Sequence, residues 1–217
     1  AEVVRAAQDI AAATDEIDVL VNNAGAYFPK RTESSEGLEM NLALNHLAYF
    51  RLTCELYPLL GIKRRTRVVN IASRAHRVAR LDFEDLEFST RRYRPFVAYG
   101  TSKLMNILFT REFANRFDPD RVTANAVHPG VVKTGFGHDY PGLFSWMATI
   151  ASPVMVTAKK GAETSILLAV DREVEGLSGG YYADSKLAKP RKKALDDEDA
   201  KRLWEESEAI CGVAFRP

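Results

Sequence analysis

Tyr99 and Lys103, in the run Ala98-Tyr99-Gly100-Thr101-Ser102-Lys103, are the residues of this chain best suited to do chemistry. Four positions apart on a helix, they project from one face. An ammonium beside a phenol favours the phenolate and lowers its pKa from an ordinary value of about 10. A phenol tuned downward serves as a general acid or base near neutral pH. The spacing alone also describes an ordinary surface pair. Tyr49 and Tyr93 are aromatic alternatives, but neither has a lysine four residues on.

Three further motifs accompany the pair in a fixed order. Asn22-Asn23-Ala24-Gly25 closes the apolar run Val19-Leu20-Val21, Ser73 ends the run Arg67 to Ala72, and Pro129-Gly130 follows the run Val122 to His128. Each run reads as a buried strand. Each motif therefore stands at a strand's C-terminal end, where ligands bind in open α/β sheets. In this order the motifs resemble the short-chain dehydrogenase/reductase family, with the likeness running from Asp18 to about Asp184. A closer likeness, to the retinol dehydrogenase-like branch, is carried by Asn45-His46-Leu47, by Val69 to His76, by Tyr99 to Glu112, by Val127-His128-Pro129-Gly130-Val131-Val132 and by Leu177 to Tyr182.

The resemblance implies a hydride transfer between a nicotinamide cofactor, NAD or NADP, and a carbonyl or alcohol. Tyr99 is then the acid in reduction and the base in oxidation. Lys103 tunes it and bonds the nicotinamide ribose. Ser73 holds the substrate oxygen, and Asn45 helps to hold a water in the proton relay. Asn22, Ala24 and Gly25 match the loop along the adenosine side, while Pro129, Gly130, Val132 and Thr134 match the loop around nicotinamide and its phosphate. The apolar stretch from Phe136 to Ile150 matches the substrate lid and suits a lipophilic retinoid- or fatty-type compound. The same residues equally suit packing on the sheet or a subunit contact. The resemblance also implies a homodimer pairing the helices near 36–59 and 95–116, with Tyr49, Phe50 and Phe113 on their outward faces. His46, His76 and His128 lack metal-ligand spacing and read as structural, so no metal is expected.

The elements that must position these groups alternate. Helices are expected near 2–16, 36–59, from Pro95 onward, 157–170 and 198–210, with strands near 17–22, 67–71, 121–127 and 180–183. Alternation of this kind argues a mostly parallel sheet with helices on both faces. The glycine-rich turn that opens such folds and holds a pyrophosphate on a helix N-terminus has no counterpart before Asp18. Thr134-Gly135-Phe136-Gly137 has the glycines but not the preceding strand. The chain accordingly reads as one α/β domain over 1–217, an incomplete Rossmann-type doubly wound parallel sheet lacking its first β-α-β-α-β segment. The Asp18–Val21 strand becomes an exposed sheet edge, and the chain by itself is expected to be poorly stable and inactive.

The 217 residues carry a net charge of +1, with 46% hydrophobic and 27% charged residues, which fits a globular domain and gives no reason to invoke nucleic acid. The two cysteines, Cys54 and Cys211, form no disulfide framework and point to a reducing compartment such as the cytoplasm. The apolar stretch from Leu143 to Val156 is interrupted and falls short of a membrane span; any membrane association is left to a segment upstream. Two functions remain open at this level. One is the oxidoreductase; the other is a non-catalytic remnant or interaction module that keeps the fold without the cofactor. In a fluorescence titration with NADH and NADPH, the 217-residue chain is expected to bind weakly. Micromolar binding, about −8 kcal/mol, would overturn the view that the glycine-rich turn is essential.

Overall fold

Short apolar strands cannot shield both faces of a sheet, so helices must cover them. A computed structural model describes residues 1–130 and 157–216. Strands β1 (Val19–Asn22), β2 (Thr66–Ile71), β3 (Val122–His128) and β4 (Tyr181–Ala183) lie side by side in that order, all parallel. Val21 aligns with Val69, Val69 with Asn125, and Ala126 with Tyr181. Strand β3 is buried along its whole length, as a strand covered on both faces must be. Strand β1 forms the expected sheet edge and leaves Val21 44% exposed.

A short antiparallel strand, β5 (Lys186–Leu187), was not foreseen. It follows a two-residue turn in which Asp184 and Ser185 both take positive φ, at 52° and 59°. Primed hairpin turns of this handedness match the twist of the strands they join. Neither residue is glycine, so the sequence carried little signal for the turn.

Helix α1 (Glu2–Ala13) packs on α3 (Ala48–Leu56), which continues a helix begun at α2 (Met40–Leu42). That helix starts at Met40, later than the Glu36 expected, because Glu39 caps it: the carboxylate accepts the Leu42 N–H at 2.9 Å. Helix α4 (Pro95–Arg116) opens on Pro95, as anticipated, and lies across β3. Helix α5 (Ala158–Val170) covers the opposite face, where Leu168 meets Val69, Ile71, Val127 and Tyr182.

Helix α6 (Asp197–Cys211) changes the expectation for a dimer face. Tyr49, Phe50 and Phe113 are not outward; they are 2%, 0% and 0% exposed. Trp204 of α6 meets Phe50 with ring centroids 5.1 Å apart and stacks on Phe109 at 5.7 Å. Gly212 ends α6 in the left-handed conformation (φ 63°). The reversed tail then inserts Phe215 against Trp204 and Phe117, and the Phe215 N–H donates to Glu208 Oε1 at 2.6 Å. The chain's own C-terminal helix thus covers the α3–α4 face named for pairing. Phe113→Ala should cost about 3–5 kcal/mol, the usual range for a fully buried aromatic; urea unfolding checks it.

Candidate active site

The C-terminal ends of β1, β2 and β3 converge on the first turns of α4. Tyr99, Ser102 and Lys103 come from α4, Ser73 from the residue after Ala72 beyond β2, and Asn45 from a π-helical turn over Ala43–Leu47 between α2 and α3. The Ser73 hydroxyl stands beside the Tyr99 phenol and favours its ionised form. Ser73 also caps a 3₁₀ turn over Arg74–Val78, its Oγ accepting the Ala75 N–H at 3.1 Å.

Burial, rather than the lysine's charge, dominates the pair. It pushes the Tyr99 phenol up to about 12, with the neighbouring Ser73 hydroxyl pulling the other way. It pushes the Lys103 ammonium down to about 7. The expected lowering of the phenol by Lys103 is therefore not what the free chain shows. Taking either group out of water disfavours its charged form; Lys103 is buried and Tyr99 half-buried. Lys103 Nζ donates to Ile71 O at 3.1 Å and stands 5.8 Å from the Tyr99 ring centroid and 5.4 Å from that of Tyr49.

Asn45 is fully buried and brackets one backbone position. Its Oδ1 accepts the Ala26 N–H at 2.8 Å, and its Nδ2 donates to Ala26 O at 2.9 Å and to Ser102 Oγ at 3.2 Å. The wide turn that carries it bonds Ala48 N–H to Ala43 O, a departure from α-helical spacing that recurs at functional sites. Asn45 thus fixes the loop after β1. At Gly25 an added Cβ would stand 2.9 Å from Asn45 Oδ1 and 3.3 Å from Lys103 Nζ, so only glycine lets the loop come this close. Ala24 and Gly25 are exposed at the rim. The Asn22 side chain, by contrast, points beneath the loop. Its Nδ2 donates to Asn70 Oδ1 at 2.8 Å and to Thr53 Oγ1 at 3.1 Å. Pro129 and Gly130 stand at the end of β3, with Gly130 at φ 86°. Val132, Thr134 and the stretch Phe136–Ile150 lie outside the described residues.

Two site residues escaped the sequence reading. Asn106 donates from Nδ2 to Asn45 O at 2.8 Å and to Ile71 O at 3.0 Å, the carbonyl that Lys103 also uses. An asparagine midway along an apolar helix was the available signal. Tyr27 packs edge-on against Tyr99 with centroids 6.1 Å apart and walls the phenol. Only the fold brings it there.

Among the described residues no cluster of histidine, cysteine or carboxylate side chains suits a metal ion. No helix among them is long and apolar enough to cross a membrane.

A sequence profile described as short chain dehydrogenase matches residues 1–141. This chain belongs to the short-chain dehydrogenase family. Retinol dehydrogenase 14 of Mus musculus is 40% identical over 200 residues, covering 91% of this chain and 60% of that protein. The chain thus spans about 60% of that relative's length. An uncharacterised protein from Mycobacterium paratuberculosis superimposes with a TM-score of 0.78 at 28% identity, over 99% of this chain and 74% of that one. The Pseudomonas aeruginosa RhlG/NADP active-site complex shares the fold, with a TM-score of 0.62 at 23% identity over 83% of this chain and 70% of that one. The retinol dehydrogenase-like branch is the part of the family this chain resembles, and its sheet is of the Rossmann type.

The Lys103 environment makes a stability test. Burial lowers its pKa from 10.5 to about 7, so between those values the unfolded chain binds the proton and the folded chain does not. Folding then becomes more favourable as pH rises through that window, and the penalty is full below it. The stability of the native chain relative to Lys103→Met should therefore climb from about pH 7 to about pH 10.5 in urea melts. A flat difference would show that Nζ is solvated.

Proposed function

We propose that the protein represented by this chain is an NAD(P)-dependent oxidoreductase that interconverts an alcohol and a carbonyl. The observation that carries the reading is the gathering of Ser73, Tyr99 and buried Lys103 at the C-terminal ends of the strands, with Lys103 Nζ held on Ile71 O. The residues beside it suit a nucleotide. Gly25 lets the backbone of the loop after β1 come close to Lys103 Nζ, and Nζ has one hydrogen-bond partner, Ile71 O, among the described residues. Lys103, the backbone of Asn22 to Gly25, and Pro129-Gly130 are the residues that would hold it, joined by Val132 and Thr134 on the family likeness. A nicotinamide nucleotide, when bound, supplies or accepts the hydride.

The chain's own residues supply the proton. In reduction the carbonyl oxygen gains negative charge. Ser73 Oγ holds that oxygen, and Tyr99 Oη, kept neutral by burial, donates its proton to it. In oxidation the same oxygen of Tyr99 takes the proton back. Lys103, with a pKa near neutrality, is suited to carry charge to the phenol when its surroundings change. Asn45 acts through the loop it brackets and keeps Gly25 against Lys103.

The substrate we propose is apolar, of retinoid or fatty type, in keeping with the apolar composition of Phe136–Ile150 and with the relatives' names. We place the protein in the cytoplasm. A homodimer, if formed, would use a face other than α3–α4, which α6 covers.

Tyr99→Phe in the intact enzyme should leave nucleotide affinity nearly unchanged and lower turnover by about 100-fold or more. Alcohol oxidation needs the ionised phenol, so its rate should rise with pH toward the raised phenol pKa, and the rise should vanish in Tyr99→Phe. Steady-state kinetics across pH decides it; a Tyr99→Phe enzyme with near-native oxidation would remove Tyr99 from the reaction.

A further inference from the structure

Two buried histidines flank the peptide group that follows Ser73. His76 and His128 are 0% and 5% exposed. His76 Nδ1 stands 2.6 Å from Ser73 O, and its Nε2 accepts the Arg191 N–H at 3.1 Å. A backbone N–H only donates, so Nε2 is bare and Nδ1 carries the proton that goes to the Ser73 carbonyl. His128 does the reverse. Its Nδ1 accepts the Arg74 N–H at 3.3 Å, so its proton sits on Nε2. One imidazole therefore donates to the carbonyl, and the other accepts from the amide, of one peptide unit. Burial lowers the pKa of both rings and keeps them neutral, as this arrangement needs.

The grip is backed on two sides. The turn after Ser73 is tied to the segment beyond β5, where Arg77 Nη2 donates to Lys189 O at 3.1 Å and Arg191 Nη1 donates to Ala79 O at 2.8 Å. On the other side α4 presses against it. An added Cβ at Gly100 would stand 2.5 Å from Ala75 O, so the turn and the helix carrying Tyr99 touch backbone to backbone. Rotation of the Ser73–Arg74 peptide would move Ser73 Oγ relative to a phenol that cannot follow.

We propose that His76 and His128 are positioning residues for Ser73: in opposite tautomers they clamp the Ser73–Arg74 peptide from both ends and fix where the serine hydroxyl meets the Tyr99 phenol. The proposal rests on the reading of Ser73 and Tyr99 given above, and it adds a role for two rings that the motif alone leaves as structural. It also separates His76 from a mere anchor for the 188–195 segment, because the ring's two nitrogens serve different partners.

Ring-nitrogen NMR of the 217-residue chain should show the proton on Nδ1 of His76 and on Nε2 of His128. The same tautomer at both rings would overturn the clamp. Asparagine can place its amide nitrogen where Nδ1 stands, whereas glutamine reaches toward the Nε2 position. With Ser73→Ala as the reference for a lost hydroxyl, the Tyr99 Cζ signal in His76→Gln and His128→Leu should shift in the same direction. In His76→Asn it should stay near native. A Tyr99 signal that moves in none of the variants, or in His76→Asn as much as in His76→Gln, would reduce His76 to an anchor and overturn the proposal. In the intact enzyme, His76→Gln should lower kcat roughly 10- to 100-fold, as for a misplaced reacting group, with the nucleotide KM within about twofold and kcat largely restored in His76→Asn. Native kcat in His76→Gln would also overturn it. If Tyr99→Phe keeps full activity, the proposed reaction falls, while the tautomers and the Tyr99 signal still decide the clamp.

Discussion

Burial of helix α4 on all sides is the constraint on which the rest of the structure depends. A helix enclosed by β3, the turn after Ser73, the π-helical turn and α6 cannot leave a polar side chain to water, so each must find a partner inside. Lys103 and Asn106 both donate to Ile71 O, Asn106 also donates to Asn45 O, and Thr110 accepts from Asn70 Nδ2 while donating to Asn106 O. These bonds tie α4 to β2 and to the π-helical turn at the level of the site. The same enclosure raises the Tyr99 pKa and lowers that of Lys103. Site geometry and site electrostatics have one origin.

The polar network reaches the C-terminal helix through His46. Asn106 spends both protons of Nδ2 on carbonyls, so its Oδ1 needs a donor, and His46 Nδ1 stands 3.3 Å away. The other ring nitrogen of His46 meets Ser207 Oγ of α6 at 3.0 Å. Burial holds the pKa of this histidine at about 4, so it bridges as a neutral ring. Helix α6 is thus bound to α4 by the aromatic cluster around Trp204 and by this buried bridge. Its packing makes the α3–α4 face part of the core.

The loop before the capped helix shows how polar residues set backbone paths around the site. Glu39 caps α2, and Asn41 Nδ2 donates both to Glu39 Oε1 at 2.7 Å and to Tyr93 Oη at 2.9 Å. Tyr93 in turn donates to Phe28 O at 2.9 Å. Tyr93, set aside as a proton donor because it lacks a lysine, is a strut between two loops instead. Asn45 sits one helical turn beyond Asn41 and completes the series by bracketing Ala26.

The sequence by itself determined the alternation of strands and helices, the exposed edge at β1 and the family, and it singled out Asn45, Ser73, Tyr99 and Lys103 as candidates. These follow from apolar periodicity and from motifs whose residues lie close together along the chain. Only the tertiary structure decided the rest. Whether Lys103 tunes Tyr99 depends on how far both are from water, and burial is a property of the packed whole rather than of a four-residue spacing. The side-chain direction of Asn22, the commitment of Asn45 to Ala26, the place of Tyr27 and the cover that α6 lays over Phe50 and Phe113 each join residues far apart in the chain. Periodicity marks a face as apolar; the partner that buries it is chosen by long-range packing.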